Sequence, residues 1–67
     1  MDVIKKKSVL LAIAEAQALS IKFPGVTYWV MDKPRHHAQV YSVEWICRER
    51  ILQGWHIVCK FKNGKMS

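Results

Sequence analysis

The chain reads as an α+β domain: an N-terminal helix, a β-hairpin, a second helix and a final strand, with a three-stranded antiparallel sheet in the order 2-1-3. Three observations lead there. Residues 9 to 23 contain neither glycine nor proline and are rich in alanine. "VTYWVM", at 26 to 31, is β-branched and aromatic and runs into the turn-forming group Asp32-Lys33-Pro34-Arg35. "WHIVCKFK", at 55 to 62, alternates in the period of a strand. Helix, strand and turn propensities therefore change along the chain at well-marked places.

Ser8 is the expected N-cap of the first helix, which extends over 9–22 until Pro24-Gly25 stops it. On a helical wheel Val9, Ala12, Ile13, Ala16, Leu19 and Phe23 form one apolar stripe, and Leu10, Ala14, Ala18 and Ile21 form a second. Such a helix calls for cover on both sides, from its own domain or from a second copy of the chain.

The first strand and "HAQVYS" make the hairpin, with Pro34 fixing φ at the turn and Lys33 and Arg35 at its solvent-facing tip. Adjacent strand residues face opposite ways, so His36 and His37 cannot readily chelate one ion, and no metal site is expected.

"SVEWICRERILQGW" is ambiguous. Ser42 as N-cap, Glu44 in the first turn, Arg48 and Arg50 further along and Gly54 past the end spell a helix over 43–53. Alternation through Tyr41, Val43, Trp45 and Cys47 would instead prolong the strand. Agreement of the signals at both ends favours the helix. In the last strand Trp55, Ile57, Cys59 and Phe61 share one face and His56, Val58, Lys60 and Lys62 the other. Asn63-Gly64 is a hairpin signal, but with three residues after it the end is expected to fray. Residues 1–67 thus form one small domain, with 1–7 and 63–67 as frayed ends.

With the hairpin's first strand central, one sheet face carries Val26, Tyr28, Val30, Ala38, Val40, Trp55, Ile57, Cys59 and Phe61 as the core. The other mixes aromatics, cations and hydrogen-bonding groups: Thr27, Trp29, Met31, His37, Gln39, Tyr41, His56, Val58, Lys60 and Lys62.

Composition narrows the functions. A domain of 67 residues buries only about 60% of the surface of its unfolded chain, which leaves little room for an enzymatic cleft. Eleven Lys and Arg against five Asp and Glu give a net charge of +6, so polyanions are the natural ligand class. Half of the residues are hydrophobic, more than so small a domain hides easily, which points to a partner surface. No catalytic set is evident. Cys47 and Cys59 match no zinc spacing, and His56, three residues from Cys59 on a strand, is expected on the opposite face from that thiol. No cofactor is expected.

The lysines and short apolar run at the start imitate a secretion signal, but Glu15 and the brevity of the Val9–Ala14 run argue against one. The expectation is a cytoplasmic protein with reduced thiols and no membrane span. The favoured reading is an accessory protein that binds nucleic acid, single strands above all, through Trp29, Lys33, Arg35, His37, Tyr41, His56, Lys60 and Lys62. Bases would stack on the rings while the cations neutralise phosphates. The competing reading is a protein-interaction module, a homodimer or an inhibitor of a larger protein, that uses the surplus apolar surface of the first helix and Trp45. In that case the second helix or a second subunit covers Trp29 and Tyr41.

Overall fold

The computed structural model describes residues 9–67 and the backbone of residues 3–6. The order is β1 (Val3–Lys6), α1 (Val9–Lys22), β2 (Tyr28–Asp32), β3 (Ala38–Tyr41), α2 (Glu44–Leu52), β4 (His56–Lys62) and β5 (Lys65–Met66). All pairings are antiparallel, in the order β1-β3-β2-β4-β5. The hairpin, the crossover helix and the 2-1-3 order of the three main strands are those expected, and β2 is central. Two strands are added at the edges. β1 pairs with β3 and β5 with β4, so Val3–Lys6 and Lys65–Met66 are not frayed ends.

α1 has the expected bounds; its expected cap, Ser8, lies outside the described residues. Ala12, Ala16 and Ser20 are fully buried against the sheet, where short side chains let a helix backbone approach closely. The two alanines join Tyr28, Val30, Ala38, Val40, Cys59 and Phe61, with Val9, Ile13, Leu19 and Val26 packed around them. The second stripe of α1, Leu10, Ala14, Ala18 and Ile21, remains exposed, as do Leu11 and Phe23.

The segment 43–53 folds as a helix. Its cap is Val43, in an extended conformation and with no side-chain cap bond, rather than Ser42. Its end follows the glycine signal: Gly54, at φ 96°, donates to the Ile51 carbonyl, and the Trp55 amide to that of Arg50, the paired bonds of a Schellman stop.

The last strand departs from simple alternation. Tyr28, Trp29 and Val30 pair with Phe61, Lys60 and Cys59, but Met31 pairs with Ile57, so Val58 is an extra residue in a bulge. The bulge resets the side-chain period. Cys59 and Phe61 face α1 as expected, whereas Ile57 moves to the face of Met31 and is 40% exposed. Trp55 packs on the α2 side with Met31, Tyr41 and Cys47. The expected four-residue face is therefore split, and the sheet has a core on each side: a large one under α1 and a smaller one under α2.

Candidate nucleic-acid interface

α2 has only nine residues and crosses one end of its sheet face. Its cover makes Tyr41 part of the smaller core, 1% exposed, with its hydroxyl bonded to Gln39 and to the Arg50 guanidinium at 3.2 Å. Tyr41 is thus a structural residue and offers no ring to a ligand. Trp29, one cross-strand pair away on the same face, is only partly buried.

The uncovered end of this face is an open groove of about 590 Å³, lined among others by Thr27, Trp29, Ser42, Glu44, Lys60 and Lys62. β2 and β4 build its floor. Trp29 lies opposite Lys60 in the ladder, which places their side chains on one face, and the Lys60 Nζ stands 4.2 Å from the centre of the Trp29 ring. That is a cation–π contact. Lys62, two residues along the strand, continues the row and is exposed. Glu44 stands on the wall at the start of α2 and is ion-paired at 2.8 Å with Arg48 one turn on. The groove therefore presents one aromatic ring, two cations, the Arg48-paired carboxylate of Glu44 and hydroxyls from Thr27 and Ser42.

The other expected contacts lie elsewhere. Lys33, Arg35 and His37 belong to the β2–β3 turn, at the far end of β2 from the groove. The turn closes through the His36 amide and the Lys33 carbonyl at 3.0 Å, with Pro34 at its second position and Arg35 at φ 69° at its third, the type II pattern. Lys33 does not point away into solvent: its ammonium donates to the Gln53 carbonyl at 2.8 Å, at the negative end of α2. Arg35 and His37 are exposed, while the His36 ring lies 5.4 Å from that of Trp55.

The bulge also moves His56. It pairs with Asp32, which puts it on the face opposite Trp29, so it does not join the groove. It shares a face with Cys59 after all, contrary to the expectation from simple alternation. The thiol is buried nonetheless, and burial raises its pKa. Cys47, fully buried beneath α2, is pushed up to about 11, chiefly by burial. Both thiols stay protonated and poorly nucleophilic near neutrality. The two are on opposite sides of the sheet, each in its own core, and are free. Among the described residues no three His, Cys, Asp or Glu side chains come together to hold a metal, and no helix is long and apolar enough to cross a membrane.

Of the eight expected contact residues, Trp29, Lys60 and Lys62 come together. Ser42 and Glu44 are additions that the sequence did not single out. Their proximity to Trp29 depends on where α2 begins over the sheet, which no local pattern encodes. No protein-family model, curated protein or solved structure matches this chain.

Proposed function

We propose that the protein is a small binding module for single-stranded nucleic acid, acting without catalysis in a cytoplasmic setting, with the groove as its contact site. The observation that carries this reading is the pairing of Trp29 with Lys60 on the groove floor, with Lys62 beside it. The ring is accessible enough to meet a base. Stacking contributes about 1 to 3 kcal/mol per base, against about 0.5 to 1 for an exposed cation–π contact. An arriving base therefore displaces the Lys60 ammonium at a net gain. The ammonium, freed from the ring, turns to the adjoining phosphate, and Lys62 holds the next. A groove of this volume is of the size that takes a small organic ligand, so it seats a single nucleotide unit of a longer strand. Duplexes, whose bases are already stacked, gain only the phosphate contacts. Arg35 and His37 act as a second, electrostatic contact for a strand that continues past the end of β2.

The test is fluorescence anisotropy of labelled dT12 and of a hairpin duplex against salt concentration. Tight binding of the single strand at low salt, weakening steeply as salt rises, supports the reading. Absence of binding at low salt overturns it.

The protein-interaction reading is favoured by a different observation: Trp45 is 66% and Leu52 88% exposed on the outward face of α2. Exposed tryptophans are common anchors of protein interfaces. Association through these residues would respond little to salt, which separates it from the first reading.

A further inference from the structure

We propose, on the footing that the groove seats one unit of a single strand, that Glu44 makes it select guanine over the other bases. Among the described residues Glu44 is the only acidic side chain that lines the groove, which it shares with Lys60 and Lys62. A carboxylate in a site for a polyanion repels the phosphates around it, so it lowers affinity unless it accepts hydrogen bonds from the ligand. The fold gives it little other use. Its pair with Arg48 is 73% and 62% exposed, and an ion pair so open to water adds little to stability. The first turn of α2 favours a negative charge, which lets the carboxylate stand at the groove without cost to the helix.

Arg48 prepares the group for a ligand. Its Nη2 donates to Glu44 Oε1 at 2.8 Å from one turn along the helix. That contact holds the side chain in one orientation and offsets its charge toward an approaching phosphate. A carboxylate accepts about four hydrogen bonds through its two oxygens, so the bond to Arg48 exhausts neither of them.

Stacking on Trp29 uses the face of a base and leaves its edge to the walls. The Thr27 and Ser42 hydroxyls both donate and accept, so they do not discriminate between edges, whereas a carboxylate only accepts. Guanine presents two donors side by side, N1–H and the N2 amine, with a spacing that matches the two oxygens of a carboxylate. Adenine and cytosine offer one amine beside an acceptor nitrogen. Thymine and uracil offer a single N–H between two carbonyls, and these the carboxylate repels. Guanine therefore binds first, adenine and cytosine next, and thymine and uracil last.

Fluorescence anisotropy at one low salt concentration tests the proposal with labelled dT12, d(TA)6, d(TC)6 and d(TG)6, and with d(TI)6, in which inosine keeps N1–H and lacks the N2 amine. The parent should bind d(TG)6 about fivefold or more tighter than dT12, with d(TI)6 between them. Glu44→Ala removes the acceptor. It should bring d(TG)6 to the level of dT12 and leave dT12 bound equally well or better, with a far-UV circular dichroism melt as the control for folding. No binding of any strand at low salt overturns the groove reading and this inference with it. Strands bound with equal affinity, d(TI)6 bound as tightly as d(TG)6, or a folded Glu44→Ala that keeps the preference would each overturn guanine selection while the groove reading stands.

Discussion

The amide of Gly64 donates to the hydroxyl of Ser20 at 2.9 Å, and that hydroxyl donates in turn to the Gln17 carbonyl at 2.8 Å. Ser20 is completely buried. One small polar side chain on α1 thereby clamps the β4–β5 turn, 44 residues away, onto the helix. The turn itself suits a tight hairpin, with Asn63 at φ 54° and Gly64 at φ 78°, and the Asn63 side chain accepts from the Gly25 amide at 2.9 Å.

Ser20→Ala should therefore cost about 0.5 to 1.5 kcal/mol, because the half-buried Gly64 amide loses its partner. Gly64→Ala should also destabilise the fold, since the new Cβ meets Ile21 and the backbone conformation is one that alanine disfavours. Urea unfolding of the two variants checks both. A Ser20→Ala midpoint equal to the parent's would mean that the clamp contributes nothing.

Trp55→Ala should unfold or severely destabilise the protein. Its ring is 8% exposed in the smaller core, and removing it costs about 3 to 5 kcal/mol, against a total stability of only roughly 3 to 10 kcal/mol for a chain of this length. A thermal transition that is lost or shifted far downward is the expected outcome, and an unchanged melt would contradict it.

Stability should fall as pH rises from about 9 to 11. The Cys47 thiol ordinarily ionises at 9.0 and does so at about 11 in the fold. Between those values the unfolded chain binds fewer protons than the native one, so rising pH favours unfolding. The contribution is complete below 9 and disappears as pH passes 11. Cys47→Ala, although less stable overall, should show a flatter dependence in that window, read by chemical denaturation at fixed pH steps.

Lys60→Glu and Lys62→Glu should each lower the salt slope of oligonucleotide binding by about one while leaving the melt within about 0.5 kcal/mol of the parent. Trp29→Ala should weaken single strands more than duplexes. Equal losses for the two forms would show that the ring does not stack on a base.

At the hairpin tip the two cations should behave differently. Lys33→Glu puts a negative charge at the C-terminal end of α2 and removes the bond to Gln53, a cost of about 0.5 to 1 kcal/mol. Arg35→Gly relieves the left-handed backbone and should stabilise the fold by a few tenths to about 1 kcal/mol, at the expense of one phosphate contact. Paired thermal melts distinguish them.

Local chemistry was enough to determine the two helices and the three main strands of this protein. The α1 bounds follow from a run of helix formers ended by Pro24-Gly25, the hairpin from a β-branched run meeting Pro34, and the α2 stop from Gly54, because propensity and turn geometry depend on a few neighbouring residues. The central place of β2 was also legible, since Trp29 and Met31 make it apolar on both faces. Trp29, Lys60 and Lys62 were identifiable as candidates because the bulge lies beyond them and leaves their parity intact. Tertiary structure alone decided the rest. A bulge is a mismatch in residue count between two paired strands, so nothing within β4 announced that Val58 would be skipped and that Trp55, Ile57 and His56 would change sides. Tyr41 became core, and Lys33 a tether for α2, through the position of a helix that meets them across space. β1 is held by ladder bonds to β3, a strand distant in sequence, and the turn that joins β4 to β5 is held by the buried hydroxyl of Ser20. Each of these outcomes depends on a partner that lies outside any local window of the chain.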